Sequence, residues 1–193
     1  MAEKILKCYP FALLDPPIRL VEGFKSYNGV LDDEAGKEHK GIDYVRIDEK
    51  GKYLTFDVFS THDGNIFQGK SETWGNFVKV CKEIGKHRFE TIYAHLEDIP
   101  KEFPILSKPG ESKNKGMIIS EKKFLGRAGT SGDSKGFIQL HFELQIKNLK
   151  TGERRKVDPY GINDTYLSGR YPQPGEPLKR CKHYWISKEP LFC

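Results

Sequence analysis

Long apolar runs are missing from this 193-residue chain: none approaches the roughly 18 residues that a membrane-crossing helix needs. Residues 1–17 carry Lys4 and Lys7 and a short apolar patch, Phe11-Ala12-Leu13-Leu14. Asp15-Pro16-Pro17 breaks that patch too soon for a signal peptide. Cysteine is scarce too. Cys8, Cys81, Cys181 and Cys193 contain no C-x-x-C pair, which excludes the usual thiolate metal spacings and thioredoxin-like redox chemistry. Cys181 and Cys193 either close a small tail loop in an oxidising compartment or stay free thiols. Charge of one sign is lacking as well. The 32 Lys and Arg against 27 Asp and Glu leave a net +5, which favours an anionic partner. The basic residues are scattered rather than interleaved with aromatics, so they give no footprint for nucleic acid.

Helical periodicity is the last absence. No stretch keeps a 3.6-residue apolar period over a dozen residues, and 96–99 reads at most as a short helical turn. What the chain has instead is 19 Gly and 11 Pro punctuating short runs rich in β-branched and aromatic residues. Strands are expected over 42–47, 53–60, 64–68, 76–81, 88–95, 116–119, 124–128 and 138–146. The fold class is therefore all-β, a compact antiparallel sheet or sandwich with long loops. Two Pro- and Gly-rich segments, 101–115 and 158–193, read as a surface loop and an irregular C-terminal tail. One domain over 1–157, with its core at about 20–147 and the tail packed on it, is the simplest partition at this length.

Three fragments carry chemistry. In His39-Lys40-Gly41-Ile42-Asp43 the histidine and aspartate lie four residues apart on what reads as a strand. Straight, that strand would separate them by roughly 13 Å, at about 3.3 Å per residue. Sharing a metal whose ligand bonds are about 2.0–2.2 Å requires a bend, and Gly41 tolerates one. In Gln139-Leu140-His141-Phe142-Glu143, period-two alternation sends amide, imidazole and carboxylate to one face and the apolar residues to the other. That face either lines a cleft or meets solvent. His95 ends the run Thr91-Ile92-Tyr93-Ala94 at the start of a turn, where catalytic side chains commonly sit.

The order of His-x-x-x-Asp, then Tyr93-Ala94-His95-Leu96, then a Gly-rich turn into Leu140-His141-Phe142-Glu143 resembles the lysostaphin/LytM-type zinc metalloendopeptidases. Gly41-Ile42-Asp43, Asp63-Gly64-Asn65-Ile66 as a short hairpin, Trp74-Gly75-Asn76-Phe77-Val78 and the glycine-rich stretch 126–132 extend the match over roughly 20–147. The resemblance implies a compact antiparallel β fold with a groove and one Zn²⁺ held by His39, Asp43 and His141. It further implies His95 as a catalytic histidine that is not a ligand. The substrate class it implies is peptides of bacterial peptidoglycan, met outside the cell or in its envelope.

One position departs from the pattern. The family's second catalytic histidine belongs two residues before the last ligand, where this chain has Gln139. A glutamine orients water and donates to a developing oxyanion but takes no proton near neutral pH. Losing a general base removes about 10²- to 10⁴-fold in rate. Two functions follow: a zinc metalloendopeptidase working with His95 and Gln139, or an impaired domain that keeps zinc and binds wall peptide or regulates another hydrolase. His62 and His87, both on expected loops, are further imidazoles within the chain, and Glu143 is suited to orienting a ligand imidazole. Groove-lining loops are expected at 71–74, 83–88 and 101–115.

Overall fold

The computed structural model describes residues 4–24, 39–106, 116–161, 171–176 and 184–186. Cys181 and Cys193 lie outside the described residues, as does most of the tail. The described chain forms eleven strands: β1 (Ile18–Glu22), β2 (Ile42–Arg46), β3 (Asp57–Phe59), β4 (Gly64–Ser71), β5 (Gly75–Ile84), β6 (His87–Ala94), β7 (Leu96–Glu97), β8 (Met117–Ile119), β9 (Phe124–Ala128), β10 (Leu140–Asn148) and β11 (Arg154–Val157). No helix occurs among the described residues, and every strand pairing is antiparallel. The protein is all-β, as its alternating runs require.

The large sheet has the order β1-β2-β10-β6-β5-β4-β8, with β11 added to β10, and β3-β9-β7 form a second, smaller sheet. Alternation decides which side chains go inward. Val78 and Val80 of β5, Tyr93 of β6 and Leu140, Phe142 and Leu144 of β10 are fully buried. They join Val58, Leu96, Leu125 and Ala128 of the small sheet in one apolar cluster. Removing about 25 cal/mol of apolar cost per Å² from water is what holds the two layers together. The N-terminal residues complete this core, since Tyr9 stacks on Phe11 and packs against Trp185, which is itself buried against Tyr160.

Several sequence expectations are corrected. Leu96–Glu97 is a strand pairing with β9, not a helical turn. Only Asp57–Phe59 of the expected 53–60 strand is regular. Asp63-Gly64-Asn65-Ile66 is not a hairpin; it leads into β4, which runs eight residues. β1 and β11 were not expected. β1 follows a diproline, and β11 is Arg-Arg-Lys-Val, with three exposed residues and no apolar alternation to read.

The other face of the large sheet matters most. Along β10 the outward positions are His141, Glu143 and Gln145, and all three are buried. Asp43 on β2 and Glu90 on β6 are buried as well. Burying so many polar groups is costly unless each is partnered or meets a cation.

Candidate metal centre

Asp43 and His141 come together through register. They are directly opposed on the antiparallel strands β2 and β10, so their side chains emerge on one face. His39 joins them because the chain turns at Gly41 just before β2 begins. The turn does not use a left-handed glycine. Gly41 is needed for space, since a methyl group there would stand 2.7 Å from His141 Cε1 and 2.7 Å from the Phe142 carbonyl oxygen. The 13 Å expected of a straight strand thereby becomes 3.3 Å between His39 Nε2 and Asp43 Oδ2.

His39, Asp43 and His141 are all buried and present ligand atoms within 4.8 Å of one another. His39 Nε2 stands 3.1 Å from His141 Nδ1, and His141 Nδ1 stands 2.7 Å from Asp43 Oδ1. Ligands about 2.0–2.1 Å from one tetrahedral metal would be separated by about 3.3 Å. The ring tautomers suit the same purpose. His39 Nδ1–H donates to the Gly23 carbonyl at 3.0 Å, and His141 Nε2–H donates to Glu143 Oε1 at 3.2 Å. Each imidazole thus has one nitrogen tied to a protein acceptor and the other turned toward the Asp43 carboxylate, the arrangement by which outer partners fix metal-ligating histidines. Two neutral imidazoles and a carboxylate, leaving one position open, are the donor set of a catalytic zinc site. The residues fit the ion.

Charge points the same way. Burial disfavours an imidazolium at His141, but Asp43 and Glu143 outweigh it and push the ring up to about 10. His39 is raised by the same contest between burial and Asp43. Burial would raise Asp43, yet the two imidazoles hold it well below the usual carboxylate range. The site attracts positive charge, which protons and a metal ion compete to supply.

Glu143 is buried and accepts four bonds: from His141, from Trp74 Nε1 at 3.2 Å, from Lys156 Nζ at 2.9 Å and from Gln145 Nε2 at 2.9 Å. Burial works against its ionisation, and these donors, His141 first, bring it down to about 2. Lys156 was not singled out in the sequence, since it lies on the unread strand β11; Trp74 was read within the Trp74-Gly75-Asn76-Phe77-Val78 match and the 71–74 loop, but not as a partner of Glu143.

His95 stands immediately after β6, its ring centroid 6.0 Å from that of His141. Its φ of 62° is left-handed, a conformation that costs a non-glycine residue about 1 kcal/mol or more and concentrates at functional sites. The surroundings enforce it. His95 N–H donates to Trp74 O, and His95 O accepts from Gly129 N–H. Nδ1–H donates to the Ser131 carbonyl at 2.8 Å, which makes Nε2 the basic atom of the ring. Gly129 also accepts from Gln139 N–H, so one residue spaces the histidine and the glutamine. Gln139 is buried, and its Oε1 has no hydrogen-bond partner.

The remaining imidazoles lie elsewhere. His62 is fully buried on the apolar side, bonded to Asp63 O and Thr91 Oγ1, and His87 is an exposed residue at the start of β6. The hairpin at 83–88 is not beside the site: His87 pairs with Asn148 at the far end of β10, whereas His141 pairs with Ala94. The 71–74 turn is beside it, through Trp74. Of 101–115, residues 107–115 lie outside the described residues.

No protein-family model matches the chain, and no curated protein matches its sequence. Among solved structures it is similar to one described as "Identification and structural characterization of LytU", with 17% identity over 74% of this chain and 81% of that chain, at a TM-score of 0.49.

Proposed function

We propose that this chain is a zinc metalloendopeptidase that hydrolyses peptide bonds of bacterial peptidoglycan, outside the cell or in its envelope. The observation that carries the reading is the convergence of His39 Nε2, the Asp43 carboxylate and His141 Nδ1, with the second nitrogen of each imidazole already engaged by Gly23 or Glu143. The ordered sequence fragments that supply these groups support the substrate class.

A zinc ion bound there supplies a Lewis acid that polarises a carbonyl and acidifies water. The protein's own groups manage the proton. His95 Nε2 takes it from the attacking water while Ser131 O holds Nδ1–H, and then returns it to the leaving amine nitrogen. Gln139 Oε1 accepts an O–H from the same water and orients it, without taking the proton. Glu143 keeps His141 in the tautomer that leaves Nδ1 for the metal.

The second reading, a domain that keeps zinc but binds wall peptide or regulates another hydrolase, is favoured by Gln139 itself, a buried amide where the family pattern has a base. Digestion of purified peptidoglycan by metal-loaded protein separates them, with Gln139→His beside the native form. A working enzyme releases peptide fragments as it stands, and the substitution changes its rate by less than about tenfold. No release from the native form, with a gain of about 10²-fold or more in Gln139→His, assigns the second reading.

A further inference from the structure

Tyr171 and Gln173 lie beyond the region that resembles the zinc peptidases, yet Gln173 touches β1 and Tyr171 touches Gly23 just past it, whose carbonyl meets the first ligand. The Gln173 side chain is bonded to Leu20 of β1 like an added strand residue: Leu20 N–H donates to Gln173 Oε1 at 3.0 Å, and Gln173 Nε2 donates to Leu20 O at 3.2 Å. Its own backbone N–H is held by Glu176 Oε2 at 3.1 Å. Leu20 opens an irregularity in β1, after which Glu22 rather than Val21 pairs with Asp43. Bulges of this kind re-aim the chain beside active sites.

Just past that bulge Tyr171 covers Gly23. A methyl group on Gly23 would stand 2.2 Å from Tyr171 Cε2, so the ring lies directly on the backbone. Tyr171 is fixed in turn, donating to Asp158 Oδ2 at 2.7 Å and packing edge-on against Tyr160. Tyr160 is anchored in the core, its hydroxyl 2.8 Å from that of Tyr44, which faces the apolar side of β2 opposite Asp43. The carbonyl of Gly23 accepts the Nδ1–H of His39.

We infer that residues 171–176 are a positioning clamp for the metal centre: Gln173 and Tyr171 set the Gly23 carbonyl, which holds His39 in the tautomer that offers Nε2 to the ion. The C-terminal segment thereby completes the site rather than merely covering the body. The inference rests on the metal reading above, and the two fail separately.

The test uses the full chain with Gln173→Ala, Tyr171→Phe, Gly23→Ala, and Gly23→Ala combined with Tyr171→Ala. Two quantities are read: zinc affinity, by competition with a chromophoric chelator, and the ¹⁵N imidazole spectrum of the metal-free protein at a pH where His39 is neutral, which reports its tautomer. Native His39 is expected as the Nδ1–H tautomer. Each single change weakens zinc by about tenfold, the usual range for loss of an outer partner being about 10- to 100-fold, and mixes the His39 tautomers. Removing the clashing ring restores part of what Gly23→Ala loses. Variants that lower the melting temperature but keep the native zinc affinity and His39 signal overturn the clamp. A native protein that binds no zinc, yet shows variant-sensitive Nδ1–H at His39, keeps the clamp and overturns the metal reading.

Discussion

Gly41 shows how a single residue sets this site. Its hydrogen is all that fits between the turn and the His141 ring, because a Cβ would meet both that ring and the rigid carbonyl of Phe142 at 2.7 Å. Gly41→Ala is expected to destabilise the metal-free protein by about 1–3 kcal/mol, as overpacking does, and to weaken zinc binding by displacing His39 from His141. Urea unfolding with chelator present gives the first quantity and a chelator competition the second; an alanine variant with native values for both would show that the neighbours yield freely. The sequence pointed to Gly41 for part of the reason. A bend was legible because His39 and Asp43 stood four apart on a strand. The crowding by His141 was not, since that residue is far off along the chain and only register brings it near.

At the scale of the elements, pairing builds the centre. β2 and β10 oppose Asp43 to His141, β6 ends at His95, and the β4–β5 turn brings Trp74 to Glu143 while its carbonyl holds His95. Trp74→Phe keeps the edge-on contact with Phe77 and removes the indole donor from Glu143. Zinc affinity should fall by about tenfold with a stability loss of about 1 kcal/mol, measured by the same competition and by thermal unfolding. Unchanged affinity would make Trp74 a packing residue only. The core strands could be read because alternation marks them: Leu140, Phe142 and Leu144 face in, while His141 and Glu143 face out. β1 and β11 could not, because β11 is nearly all charge and in β1 a register shift between Leu20 and Glu22 exposes Val21 and buries Glu22. With β11 went Lys156, whose ammonium lies against the Trp74 ring and on Glu143. His39, Asp43, His141 and His95 were thus legible as sequence fragments, whereas their outer partners depend on contacts between distant strands.

Over the whole molecule, burial of ionisable groups writes a pH dependence into stability. His62 is fully buried, and burial brings its imidazole down to about 4 from an ordinary 6.5. The folded state then binds fewer protons than the unfolded chain between those values, so stability falls as pH drops from about 6.5 toward 4. The loss approaches a ceiling of about 3.5 kcal/mol, at about 1.4 kcal/mol per pH unit over about 2.5 units. His141, raised to about 10, acts in the opposite sense and only above about 6.5, where its stabilising charge is lost as pH rises. Urea titrations in chelator between about pH 4 and 7 should therefore flatten in His62→Gln; an unaltered slope would assign the acid sensitivity to other groups.

Metal content tests the account most directly. Protein prepared without chelator is expected to carry about one equivalent of zinc per chain, and Asp43→Asn and His141→Ala to lose it while His87→Ala, at the exposed far end of β6, retains it. Less than about half an equivalent in the native protein after incubation with zinc, or full occupancy in Asp43→Asn and His141→Ala, would contradict a zinc centre at these three residues.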